Sequence, residues 1–141
     1  MAQRRRRCRK GLFELRCAIA TADNRSENMS PIETLRNVSR ELVAELARRD
    51  YDAMVGRCRK SRMTSADLSH VIRDYGCAVV EPPADTYDSL DAVKVERAPI
   101  PTWSVRVPVW TTEGRSDLTL ELTIAIGPGR TEVELDDLHV L

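Results

Sequence analysis

The sequence predicts an α+β fold, with N-terminal amphipathic helices packed on one face of a C-terminal antiparallel meander sheet. Three observations carry that prediction. From Trp103 to the end, apolar and polar residues alternate one by one, a period that puts one set on each face of a sheet. Two earlier segments carry apolar residues at helical spacing, each behind a capping signal. The turn formers Glu113-Gly114 and Gly127-Pro128-Gly129 divide the alternating stretch where a meander must reverse.

The first element opens at Ser30-Pro31-Ile32-Glu33. Ser30 suits the cap, Pro31 the first helical position, and Glu33 the third, where a capping box places its acid. Leu35, Val38, Leu42, Val43 and Leu46 then form one apolar stripe, and Glu41–Glu45 and Arg36–Arg40 charge the opposite face. This helix should reach about Arg49. Tyr51, Met54 and Val55 suggest a short second helix ending near Gly56, followed by a basic loop from Arg57 to Arg62. Thr64 caps the next helix, with Asp67 three residues on, Leu68, Val71, Ile72 and Tyr75 as its stripe, and Gly76 as its stop. Cys77–Val80 makes a brief strand before Pro82-Pro83. Tyr87 and Leu90 form a small anchor, and Val93 and Val95 start an edge strand that Pro99 and Pro101 terminate.

A turn centred on Glu113-Gly114 makes Val109 face Leu118, Val107 face Leu120, Val105 face Leu122 and Trp103 face Ile124. The same register sets Arg106 against Glu121 and Ser104 against Thr123 on the other face. A turn near Pro128-Gly129 sets Ile126 against Thr131, Ile124 against Val133 and Leu122 against Leu135. Asp137 would then point inward, while Leu138 and Val140 resume the apolar pattern one step out of phase. A β-bulge around Asp136-Asp137 restores the inward set.

At 141 residues and 42% hydrophobic content, the chain suits one globular domain. Basic and acidic residues balance at 22 each, yet residues 1–28 hold eight basic against three acidic side chains, so the remaining 113 residues carry −5. Met29 stands directly before the first cap. Residues 1–28 are therefore expected to be a disordered basic extension, or an upstream reading, before a single domain over 29–141. An Arg-rich arm attracts phosphate, but no aromatic interleaving or folded reader accompanies it, so nucleic acid is expected to engage this tail or nothing. No apolar run approaches the roughly 18 residues of a membrane span, and Glu14 and Arg16 interrupt the Leu12–Ala22 patch that a secretory leader would need. Cys8, Cys17, Cys58 and Cys77 lack metal-type spacing. Free thiols in a reducing cytoplasm fit them better than a disulfide framework.

The segments "WSVRVPVWTTEGRSDLTLELT" and "DDLHVL" resemble an uncharacterised bacterial family of small domains. The element order, including "RRDYDAMV" and "TSADL", resembles the broader nuclear-transport-factor-two-like, cystatin-related α+β class. The resemblance covers about residues 30–141 and leaves the tail outside. It implies a fold and no catalytic residues to carry over. Domains of that broader class often hold a cavity between helices and sheet.

Three clusters hold side chains capable of chemistry. Asp67, His70 and Asp74 share a helix face, where a metal or acid–base pair competes with ordinary cap and ion-pair roles. Asp136, Asp137 and His139 gather at the last strand, yet no further ligands have recognisable spacing. Cys58 between Arg57 and Arg59 should favour its thiolate, but no base can be set beside it. The expectation is no catalytic residues, no metal and no cofactor. The stronger candidate is the outer sheet face, where Arg106, Glu121 and Asp136 share a row near Trp110 and Glu134. Exposed Trp among charges is typical of binding surfaces; the competing and favoured reading is a solvated sheet face with Trp110 partly covered by the 84–101 segment. The function the binding reading implies is a small non-enzymatic interaction domain, immunity-like or accessory, presenting an acidic face to a basic protein partner. The alternative is a ligand-binding or enzymatic domain with a pocket between helices and sheet.

Overall fold

The structure, a computed structural model, describes residues 30–140. In chain order these form α1 (Pro31–Ala47), α2 (Tyr51–Arg57), β1 (Lys60–Ser61), α3 (Ser65–Tyr75), β2 (Val79–Val80), a 3-10 helix (Ala84–Ser89), β3 (Asp91–Lys94), β4 (Thr102–Thr111), β5 (Gly114–Gly127) and β6 (Arg130–Val140). The predicted α+β class is what is seen. The expected extension over residues 1–28 lies outside the described residues.

Local chemistry starts the helices where the sequence places them. Ser30 and Glu33 close a capping box on α1, and Thr64 and Asp67 close another on α3. Gly76 ends α3 with φ +90°, in the left-handed region that glycine enters without a Cβ penalty. Leu35, Leu42, Val43 and Leu46 of α1, Met54 of α2 and Leu68 of α3 are all buried. Against them lie Val105, Val107, Val109, Leu118, Leu120, Leu122, Ile124, Leu135 and Leu138 from the inner sheet face. Removing that much apolar surface from water, at about 25 cal/mol per Å², dominates stability.

Strand order is β1-β6-β5-β4-β2, with β3 also on β4. The long hairpins are antiparallel, as expected, but β1 runs parallel to β6, with Lys60 opposite Glu134. The sheet is therefore mixed. This strand sits inside what the sequence shows only as a basic loop, because two residues carry no readable alternation.

The β4–β5 register matches expectation from Trp103↔Ile124 to Val107↔Leu120, with Arg106 opposite Glu121. Beyond Pro108 it departs. Trp110 faces Arg115 and Thr111 faces Gly114, so the turn residues are Thr112-Glu113 and Val109 does not pair with Leu118. The physical reason is a bulge on β5. Ser116 Oγ donates to Val109 O at 2.7 Å and accepts from Leu118 N at 3.1 Å, replacing ladder bonds that the extra residues interrupt. Val109 and Leu118 both remain buried.

The β5–β6 register follows prediction through Ile126↔Thr131, Ile124↔Val133 and Leu122↔Leu135. It then shifts so that Glu121 faces Asp137 and Leu120 faces Leu138. The predicted bulge is present, and Asp136 is the extra residue. Leu138 thereby returns to the core, where it is 1% exposed.

The charged side of α1 is less solvated than its pattern suggests. Glu45 is buried, and Arg57 of α2 forks it with Nε 3.0 Å and Nη2 2.7 Å from its two oxygens. Arg36 donates to the carbonyls of Tyr87 and Asp88, and the Arg40 guanidinium lies 4.9 Å from the Tyr87 ring centre. Tyr87, expected as an anchor, is thus held by charges as well as by burial.

Candidate functional site

The outer face of the sheet is built from the residues that alternate with the core. On β4 these include Arg106, on β5 Glu121 and Thr123, on β6 Glu132, Glu134 and His139. Because the β6 bulge inserts one residue between Leu135 and Leu138, both Asp136 and Asp137 turn to this side. The Thr123 hydroxyl donates to Asp136 at 2.6 Å, and Asp137 lies 3.9 Å from His139 Nε2.

The row expected from sequence was Arg106, Glu121, Asp136. The row in the structure is Arg106, Glu121, Asp137, displaced by the one bulge residue. Arg106 Nε stands 3.9 Å from Glu121 Oε2, and His139 Nε2 stands 2.6 Å from the same oxygen. This hydrogen bond to Glu121 raises the His139 pKa above the usual imidazole range, with Asp137 and Glu121 adding attraction. The His139–Glu121 contact is the part that sequence reasoning missed. Its signal is the bulge itself, which moves His139 back to the outer phase opposite Thr119, next to Glu121.

Glu134 does not join that cluster. It lies 3.9 Å from Arg59, the residue before β1, which also reaches Glu132 at 3.0 Å. Arg130 holds Glu132 from the other side at 2.7 Å. On β5 and β6 the face therefore carries five carboxylates, partly offset by Arg59, Arg106 and Arg130.

Of these residues, Trp110 shares a pocket only with Arg106. It is half-buried in a notch of about 160 Å³ with Asp91, Arg106 and Arg115, beneath Thr86 and Ser89 of the 3-10 helix. Its indole Nε1 is buried without a hydrogen-bond partner. Residues from the 84–101 segment flank this ring, so Trp110 follows the expectation of a partly covered residue rather than an open aromatic contact.

The remaining clusters resolve into structural roles. Asp67 completes the α3 capping box, whose hydrogen bonds from Thr64 lower its pKa. His70 lies 3.1 Å from Asp74 on the exposed face of α3. No metal-holding group of His, Cys, Asp and Glu occurs among the described residues. The Cys58 thiolate expectation is overturned. Burial pushes its pKa up to about 11, Glu45 reinforces this, and Arg57 opposes it only weakly. Arg57 is directed to Glu45 and Glu41 instead, and Cys58 Sγ donates to the Met54 carbonyl at 3.3 Å.

The family model described as a domain of unknown function (DUF7668) matches residues 43–141. The chain belongs to this family. No curated protein and no solved structure gives a match. The DUF7668 region begins within α1 rather than near residue 30, so the first cap precedes it. It includes every outer-face residue named above. No helix among the described residues is long and apolar enough to cross a membrane.

Proposed function

We propose that this DUF7668 domain is a small non-enzymatic interaction module, immunity-like or accessory in role, whose outer sheet face receives a basic protein partner. The observation that carries the reading is the β6 bulge, which sets Asp136 and Asp137 side by side on the face that already holds Glu121 and Glu134. Neighbouring carboxylates repel, and a cationic partner relieves that repulsion on binding. The domain charge of −5 over residues 29–141 points the same way by favouring encounter with basic surfaces. A cytoplasmic setting suits the free thiols of Cys58 and Cys77.

The alternative was a ligand pocket between helices and sheet. That space is filled by Val, Leu and Ile side chains at or near zero exposure. A groove of about 640 Å³ does exist at the end of the sheet, between Val38 of α1 and Ile126 and Pro128 beside the last turn. Its lining holds one carboxylate, Glu41, already paired with Arg57. Nothing there supplies a nucleophile and base together, so the interaction reading ranks first.

Affinity capture with wild type and a Glu121→Lys, Glu134→Lys double variant tests the proposal. The wild type should retain a basic protein at low salt and release it at high salt, and the double variant should not retain it. Equal recovery by both proteins at every salt concentration would rule the acidic face out.

A further inference from the structure

On the helical side of the molecule, a cleft of about 420 Å³ opens where α1, α2 and α3 meet. Its lining includes two arginines, Arg49 and Arg73, together with Tyr51 and Ser69, and no carboxylate. In a domain of net negative charge, such a lining is unexpected. The nearby acids are engaged elsewhere. Asp50 caps α2 through Ala53 N, Asp52 accepts from Ser65 Oγ, and Asp74 pairs with His70. Neither the Arg49 nor the Arg73 guanidinium has a hydrogen bond or ion pair among the described residues.

Arg49 adds an independent observation. It follows the last residue of the α1 cap with φ +64°, in the left-handed region that favours glycine. Its N–H bonds the Leu46 carbonyl, and the next N–H, of Asp50, bonds the Glu45 carbonyl. This is the Schellman closure, whose left-handed position is usually glycine or asparagine. Arginine is strained there, whereas glycine makes the same backbone bonds freely. The residue that takes this strained conformation also lines the cleft. Local backbone strain of this kind concentrates at functional sites. Arg73 lies in the last turn of α3, where its charge also favours the helix end, but that attraction leaves its directed N–H donors open.

We propose that this cleft is a binding site for a phosphate monoester of a small organic molecule. Arg49 and Arg73 take the phosphate oxygens through charge-assisted hydrogen bonds. Tyr51 and Ser69 supply neutral donors, and Ile72 offers an apolar wall to the organic part. The cleft is of a size that suits small ligands. The site lies away from the outer sheet face and is independent of the interaction proposed for it.

The test is a two-dimensional amide NMR titration of the full chain with phenyl phosphate, repeated with inorganic phosphate and with phenol. The arginine-rich N-terminal segment is retained in every protein, so its own response is common to all. Saturable shifts should centre on Tyr51, Ser69, Gly76 and Cys77, stronger for phenyl phosphate than for inorganic phosphate and absent with phenol. Arg49→Gly should weaken binding at least tenfold while leaving the melting temperature unchanged or higher, and Arg73→Ala should weaken it similarly. Shifts confined to residues 1–28, or wild-type affinity in both variants, would overturn the site. So would a lower melting temperature in Arg49→Gly with unchanged affinity, since arginine would then serve the fold.

Discussion

His139 and Cys58 show how single side chains take their chemistry from what surrounds them rather than from their neighbours in sequence. The raised His139 pKa has a definite thermodynamic sign. A group that binds its proton more tightly when folded stabilises the fold fully below its unfolded pKa of about 6.5. That contribution disappears as pH rises through the higher folded value. Following the imidazole Cε1 proton by NMR should show a pKa above that of an unfolded histidine, falling in Glu121→Gln. An unchanged value in the variant would mean that Glu121 is not the cause. For Cys58, burial and the nearby Glu45 charge keep the thiol protonated near neutrality. Iodoacetamide at pH 8 should alkylate it at least tenfold more slowly in the native protein than in urea, because only thiolate reacts. Equal rates would show an accessible, ionised sulfur.

At the scale of elements, the two irregularities in the sheet matter more than its regular parts. The β6 bulge was legible because Leu138 and Val140 break phase with Leu135; the inserted residue returns Leu138 to the core, whereas Val140 at the strand end is 53% exposed. The β5 bulge was not legible, because Ser116 and Asp117 are polar on either side of a phase change that leaves Leu118 apolar as expected. The hydroxyl of Ser116 makes that irregularity stable. Ser116→Ala should therefore cost about 1 kcal/mol in urea unfolding, the worth of an ordinary hydrogen bond. A loss below about 0.3 kcal/mol, within the range of an indifferent surface change, would show that the backbone holds the bulge unaided. The helices were read from caps and stripes with little error. What the stripe could not show is Glu45, whose burial depends on Arg57 arriving from a separate helix. Strand β1 was equally hidden, since its pairing with β6 is a tertiary event between distant residues.

Across the whole molecule, the two faces of one sheet differ in chemistry. The inner face is sealed by the helices, so Leu122→Ala should remove roughly 2–5 kcal/mol of stability, as a cavity forms in a core with no room to relax cheaply. The outer face is free to carry charge, and the bulge adds carboxylates to it without disturbing the core. That Glu121, Glu134 and Asp136 lie on the outer face was legible from alternation. Their detailed arrangement was not, because the bulge exchanged Asp136 for Asp137 opposite Glu121.

The docking of a basic partner that we propose for the outer sheet face is tested most directly by amide hydrogen exchange with and without the captured partner. New protection is predicted over residues 119–123 and 134–139, with the helices unchanged. Protection confined to α1, α2 and α3, leaving those strand segments as in the free protein, would contradict it.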